Sequence, residues 1–505
     1  MNNKARITSI AAQVYAYLGN SPSLVILVLF GAVAGLTLGL MAVVIPWFFF
    51  VPLFAVPVFI LIAWVRPEYA LAFLVLVVSG FLPDFLLPSI STVGGTLRAE
   101  DFFLGFVLLI TLLKYGGDAK RWLPGLKPFV WPLLLLMGLA GLSAVYSVFI
   151  VGVATTAVTE DLRAFVYWVL PLIIVMMAHQ RRVLDRFLSA LVVGAVLLAL
   201  AQILQVNFGI PIMHAGRLET AAIGHTEYSG VLRSTVPGIY LIMFAFLLIV
   251  SRYILGKQGL FVSLLLSGLF ALALMYTYGR TLWGTTLFGL MFVGFLLGIA
   301  RTIKVGVLLL VVVLGVLALV SLYKPDVADV VIDRALSVKD EGDSRTSLGW
   351  RFEENGLALK RIQSSPVFGI GLGVNYKPAG SEKEWEGERR TVHNGHMAIL
   401  LKLGLAGALI LVFLLVRYWK EATVLARSLA PQNSDRAILS VIRALVPMIL
   451  ISANTRPEWI VQATVCMFAV GIGTVAAMNN LRRQASDGGM PEHLHSVATR
   501  KSSWQ

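Results

Sequence analysis

The chain has 505 residues, of which 58% are hydrophobic and 13% charged, and it carries a formal net charge of +14. This balance excludes an ordinary soluble domain and places the chain among polytopic membrane proteins. Cys466 is the lone cysteine, which excludes an intramolecular disulfide framework, and the Lys and Arg residues lie in small groups between apolar runs, which argues against a nucleic-acid partner.

At about 20 apolar residues per span, the sequence predicts about fourteen transmembrane helices, beginning near Ser21, Pro46, Tyr69, Asp101, Phe129, Leu162, Arg186, Ser229, Gly259, Thr281, Thr302, His393, Ala437 and Trp459. The expected fold is an all-α polytopic integral membrane protein with a single membrane domain. Helices over 1–323 and 393–480 flank one large loop, 324–392, and a polar tail over 481–505 reads as disordered. The first apolar run, Ser21 to Val44, is too long for a signal-peptide core and reads as a retained helix. Residues 83–97 mix Pro, Gly and Ser with apolar side chains and suggest a re-entrant or interfacial segment.

Alternate loops collect basic residues, such as Lys114, Lys120, Arg121 and Lys127, or Arg181, Arg182 and Arg186, while the opposite short loops hold single arginines. This asymmetry puts both termini in the cytoplasm and the large loop on the other face. Within that loop, Leu348, Phe352, Leu359 and Ile362 recur at helical spacing. They predict an amphipathic helix over 345–363 whose apolar face roofs the bundle and which stops before Pro366.

On the outward side, Arg163, Arg217, Arg233 and Arg280 call for a reason beyond topology. Guanidinium groups suit a diphosphate because they stay charged and donate paired hydrogen bonds. The alternative is snorkelling, or pairing with Glu160, Asp161 or Glu219. His393, followed by Asn394 at the mouth of an apolar helix, places an imidazole at a membrane surface, where it can serve as a base. His396 reads as a capping or interfacial residue. Zinc binding by the two histidines lacks partners, since Glu384, Glu386 and Glu388 show no ligand spacing. His225 is a second outward imidazole. Lys402 falls nine residues into the His393 helix, roughly 13 Å deep at 1.5 Å per residue, where it faces an anion or a wet cavity unless the helix begins further out.

Taken in order, Arg345, Trp350-Arg351, Pro366, the Gly369-x-Gly371-x-Gly373 turn, His393-Asn394, Leu403-Gly404 and Gly407 resemble the catalytic loop of the O-antigen ligase and Wzy-type polysaccharide polymerase superfamily. Arg280 resembles that superfamily's arginine before a transmembrane helix, and Arg217 its arginine ahead of a helix-opening turn. Lys402 departs from the pattern, standing where the family often has a carboxylate. The resemblance implies a GT-C-like architecture with His393 as base. It implies a substrate site drawn from Arg280, Arg217, Arg351 and Arg345, with Arg163, Arg233, Lys402, Asn394 and His225 as further candidates. The reaction it implies needs no metal or other cofactor: a glycan moves, with inversion, from undecaprenyl diphosphate to a sugar hydroxyl at the periplasmic face of a bacterial inner membrane. The length of the chain favours a polymerase, with a ligase acting on lipid A-core as the alternative. A flippase and a chain-length regulator are candidate protein partners. A transporter of lipid-linked sugars is the reading from a different class.

Overall fold

The structure is a computed structural model that describes residues 50–83, 86, 89–92, 95–213, 217–223, 226–336, 347–377 and 389–486. The expected helix at Ser21, the residues Arg345 and His225, and the polar tail beyond Ser486 lie outside these residues. The chain divides into two units, Met1–Val65 and Arg66–Gln505. The first contributes α1 (Phe50–Val65).

All other elements belong to the second unit. Its first half holds α2 (Pro67–Val78), a hairpin of β1 (Ser89–Thr92) and β2 (Gly95–Arg98), α3 (Ala99–Tyr115), α4 (Ala119–Tyr146), α5 (Thr155–Val166), α6 (Leu170–Met177) and α7 (Arg181–Phe208). A second hairpin, β3 (Arg217–Ile223) and β4 (Thr226–Thr235), leads to α8 (Ile239–Ile254), α9 (Leu260–Met275), α10 (Arg280–Leu297) and α11 (Ile299–Tyr323). The rest is α12 (Pro325–Leu336), α13 (Ser347–Ser364), α14 (Gly395–Arg427), α15 (Asp435–Ser452) and α16 (Gln462–Ser486).

Among the described residues, six helical runs are long and apolar enough to cross a membrane: Ala99–Val151, Arg181–Phe208, Arg280–Leu297, Ile299–Tyr323, Gly395–Arg427 and Gln462–Ala485. Three shorter apolar helices accompany them. The chain is therefore a multi-pass, essentially all-helical membrane protein. At its centre is α16, which packs on α4, α5 and α6. Of its most apolar stretch 89% is buried, against 33% for the peripheral α11.

The structure differs from the sequence expectation in several places. First, the helix expected from Ser229 is strand β4, which pairs antiparallel with β3, and the helix begins only at Ile239. Pro237 forces the residue before it out of the helical region, and Thr226, Val231 and Thr235 favour extended backbone. Second, the large loop contains α12, whose buried side chains Val327, Ala328, Val330 and Val331 cluster with Val231, Tyr276 and Tyr278. Third, α13 is helical as expected but presents a different face. Phe352 and Leu359 are 70% and 49% exposed, while Glu354, Ala358 and Ile362 pack inward beside Tyr376, Val392 and Leu401.

The helix expected from His393 is broken. At Gly404 (φ 65, ψ −166) α14 changes course, and residues 366–370 insert at the break. There Ile370 N donates to Leu401 O at 2.8 Å, Leu405 N to Pro366 O at 2.9 Å and Ala406 N to Val367 O at 3.0 Å. Backbone groups freed at membrane depth are thus satisfied by protein, the condition under which a broken span is tolerated. A Cβ at Gly404 would overlap the Val367 carbonyl, and one at Gly369 would overlap Leu401 O, so the close approach requires glycine at both positions.

Candidate functional site

His393 stands on the turn that opens α14. The Asn394 side chain caps that helix, its Oδ1 accepting from His396 N at 3.0 Å and Met397 N at 3.1 Å. Gly395 N donates to Ala453 O at 2.6 Å, which pins the turn against the segment between α15 and α16. The imidazole Nδ1 lies 3.2 and 3.1 Å from the two carboxylate oxygens of Glu354, and His393 N donates to Glu354 Oε2 at 2.9 Å. A carboxylate facing Nδ1 assigns the ring proton to that nitrogen and leaves the Nε2 lone pair available. The His393 side chain is 36% exposed and that of Glu354 only 1%. Trp350 packs edge to face on the imidazole, with centroids 5.3 Å apart.

Glu354 is held by more than the histidine. Tyr376 donates its hydroxyl to Oε1 at 3.0 Å, and Lys377 Nζ lies 3.1 Å from the same oxygen and 4.6 Å from the centre of the Trp350 ring. Burial pushes the Glu354 carboxyl up, but the hydrogen bonds and charge of His393, together with Lys377, outweigh it and hold the group below the usual carboxylate range. In acid, the folded protein therefore binds fewer protons here than the unfolded chain. The stability this supplies is present above the ordinary value of 4.5 and is lost as pH falls through the folded value. The thermal midpoint in detergent should accordingly fall more steeply between about pH 5 and pH 3 in the wild type than in Glu354→Gln.

Arginines gather beside this pair. Arg280 opens α10, and the neighbouring Thr281 and Thr455 hydroxyls are 3.0 Å apart, so this helix end meets the same segment that pins Gly395. From that segment Arg456 pairs at 2.8 Å with Glu458, a wholly buried carboxylate that also accepts hydrogen bonds from Tyr240, Ser452 and Thr464. Arg334, on α12, donates to Tyr278 O at 3.2 Å, two residues before Arg280. Burial, joined by the charges of Arg280, Arg233 and Arg351, lowers the Arg334 pKa to about 10. Burial also lowers Arg351; Glu354 opposes this, while Arg456 and Arg280 add to it. The charges of Arg280, Arg334 and Arg351 therefore act on one another, and Arg351 stands one helical turn from Glu354 on α13, an arrangement that favours an anion.

Several candidate cations are engaged elsewhere. Buried Arg163 meets Asp101 at 3.1 and 3.2 Å and Thr96 O at 2.6 Å, tying α5 to α3 and β2. Arg233 bonds Glu219 across the hairpin at 3.0 Å. Lys402, 1% exposed, lies 2.7 Å from Asp161 and donates to Val374 O at 3.2 Å, while Asp161 accepts from Gly373 N at 2.6 Å. Lys402 and Asp161 thus clamp the Gly369–Gly373 turn, in which Gly369, Gly371 and Gly373 all have positive φ. Arg390 pairs likewise with Glu160 at 2.7 Å. Arg217 begins β3 opposite Thr235, with its side chain outside the described residues. His396 faces the Leu450 carbonyl at 3.1 Å, so the two histidines have different partners.

Lys402→Met strands the buried Asp161 charge and should cost about 3–5 kcal/mol, read as a lower thermal midpoint. Adding Asp161→Asn should recover much of this loss, which would not happen if the lysine acted only on a ligand.

Residues 262–412 match the family model described as O-antigen ligase, Wzy_C. The chain carries an O-antigen ligase domain. It runs from the first turn of α9 into α14 and includes Arg280, Arg334, Arg351, Glu354, the glycine turn, Lys377, His393 and Lys402. Asp161, Arg233 and Arg456 reach the O-antigen ligase domain from outside the matched range. No curated protein matches the chain. Together the apolar helices and the O-antigen ligase domain mark a membrane protein of the glycan-transferring type. Glu354, Tyr376, Lys377 and Arg334 do not stand out in the sequence. The visible signals were Glu354 three residues after Arg351 and Lys377 just past the glycine turn.

Proposed function

We propose that the O-antigen ligase domain transfers a glycan from a polyprenyl diphosphate to a sugar hydroxyl, with His393 as base and the arginine group as the cradle of the departing diphosphate. The observation that carries this reading is the Glu354–His393 pair, in which Glu354 shares its helix with Arg351, whose charge acts together with those of Arg280 and Arg334. The acceptor hydroxyl gives its proton to His393 Nε2 as its oxygen attacks the anomeric carbon, and the bond from that carbon to the diphosphate oxygen breaks. Glu354 stabilises the imidazolium that forms. Arg280, Arg334 and Arg351 meet the charge developing on the diphosphate, which is a stable anion and leaves without an acid. Attack opposite the leaving group inverts the anomeric carbon.

Arg217 and Arg345 remain part of the proposed diphosphate site on family resemblance, and His225 remains a further candidate of the substrate site. The pairing of Arg163 with Asp101 and of Lys402 with Asp161 favours positioning roles for those two cations, and the capping bonds of Asn394 favour the same for it. The reaction is placed on the periplasmic face of an inner membrane. Joining one lipid-linked repeat to another, as a polymerase does, is the product reading preferred here. The description of the matched family favours the second reading, transfer onto lipid A-core.

The test is reconstitution of the purified protein with a defined polyprenyl-diphosphate glycan, with and without chelator. A ladder of chain lengths supports the polymerase and one-step transfer onto core lipid the ligase. Donor crossing the bilayer without transfer overturns both, and activity lost to chelator overturns the metal-free mechanism.

A further inference from the structure

Arg443 lies inside α15, 7% exposed, with no carboxylate in ion-pair distance among the described residues. Its hydrogen bond among those residues runs from Nε to Leu439 O, one turn earlier, at 3.4 Å. A guanidinium stays charged at any working pH. Burying one without a counter-ion is costly, and its terminal nitrogens still need acceptors.

What surrounds this side chain is polar and basic. Arg436, Ser440 and Arg443 follow one another by four and three residues and share one face of α15. The bond to Leu439 lays the guanidinium back over the turn that holds Ser440, which is 1% exposed. The Ser440 hydroxyl is buried without a hydrogen-bond partner, and so is that of Thr423 on α14. The Tyr418 hydroxyl donates to Ile442 O at 3.2 Å, which sets the level of the two helices and puts Thr423 and Arg427 beside the first turns of α15. Next to Arg427, the Ser428 hydroxyl accepts from Arg482 of α16.

Arg427, Arg436, Arg443 and Arg482 thus gather where α14 ends and α15 begins. Two carboxylates of this region are engaged elsewhere: Asp435 pairs with Arg181 at 2.6 Å, and Glu421 accepts from Asn479 at 3.3 Å. His393 stands at the other end of α14, a run long enough to cross a membrane. This cluster is therefore separate from the arginines near the imidazole.

We infer that Arg443, Ser440 and Arg436, with Arg427 and Arg482 at the rim, form a second anion site, which takes a single phosphate group. Phosphate oxygens accept paired hydrogen bonds from a guanidinium and further ones from hydroxyls, so one such group satisfies the charge and the unpartnered donors together. Arg443 lies about 12 Å beyond Asp435 at 1.5 Å per residue, and so little of it is exposed that the opening suits a small group and not a polyanion such as nucleic acid. Both a lipid headgroup in that leaflet and free phosphate present this chemistry.

The test uses the full-length Arg280→Ala protein in phosphatidylcholine nanodiscs, a background that weakens anion binding near His393. Inorganic phosphate should raise its thermal midpoint saturably. Adding Arg443→Gln should raise the phosphate concentration for half the gain by roughly 10–100-fold, the loss of a charge-assisted hydrogen bond. The same change should raise the phosphate-free midpoint, since it removes a buried charge without a counter-ion, whereas an arginine that only braces the helices would lower it. Arg436→Gln, at a more exposed position, replaces this variant if it does not fold.

Phosphatidylglycerol in place of phosphatidylcholine separates the two sources. A midpoint raised by that lipid, with no further gain from inorganic phosphate and with the rise lost in Arg443→Gln, assigns the site to a headgroup. An equal gain from inorganic phosphate in both lipids assigns it to soluble phosphate. No gain from either ligand in the Arg280→Ala protein, or an undiminished gain in Arg443→Gln and Arg436→Gln, overturns the inference.

Discussion

His393→Ala lowers turnover of a polyprenyl-diphosphate-linked glycan by roughly 10²–10⁴-fold, the usual contribution of a positioned base, with little change in KM. The reason for the split is geometric. The imidazole acts on the acceptor hydroxyl as its proton leaves, whereas donor affinity belongs to the arginines, which the substitution does not touch. Glu354→Gln should fall in the same direction by roughly 10²-fold or more, since an orienting carboxylate both fixes the ring nitrogen that carries the proton and stabilises the imidazolium. A glutamine fills the space and can still accept from His393 N, so a loss in this variant reports charge and not packing. Glu354→Asp, which keeps the charge, should retain more activity than the amide. Rates are measured on reconstituted protein at saturating donor. Transfer by His393→Ala above about a tenth of wild type would remove the histidine from the chemistry.

How much of this site was legible beforehand follows from what each residue needs in order to stand out. His393 and Arg280 were legible because each is a lone polar group at the mouth of an apolar helix, where no bland composition explains it. Glu354 was not, because in the sequence it looks like its neighbour Glu353. Only the return of the chain at Tyr376 and Lys377 gives it partners and makes its burial tolerable. The face of α13 was misjudged for a related reason. Periodicity finds an apolar stripe but does not say what it meets, and next to a bilayer Phe352 and Leu359 can be exposed at no great cost. Hairpin β3–β4 was hidden by reading apolar content alone, although Pro237 marked the true helix start. Arg334 was overlooked because it sits in a short charged helix that reads as loop, and its importance comes from packing that brings Tyr278 and Val331 together.

The arginine group leads to an expectation of opposite signs in the free and occupied protein. Two like unit charges about 8 Å apart repel by about 2 kcal/mol at an effective dielectric near 20, and Arg334 answers to Arg280, Arg233 and Arg351 together. Removing one member should therefore relieve the ligand-free protein while weakening its hold on an anion. Arg334→Met, which keeps the apolar stem, should raise the thermal midpoint of the free protein and shrink the gain on adding diphosphate, because ligand stabilisation scales with the affinity lost. Arg280→Ala should go further and lower kcat/KM by about 2.7–4 kcal/mol, or roughly 10²–10³-fold, since a fixed donor aimed at developing charge acts mainly in the transition state. Arg280→Lys should recover only a fraction, because a point charge does not replace a planar fork on two phosphate oxygens. If the arginines served only to brace the fold, Arg334→Met would lower the ligand-free midpoint and leave the diphosphate response unchanged. The sign of that first shift therefore decides between a brace and a cradle before any glycan is transferred.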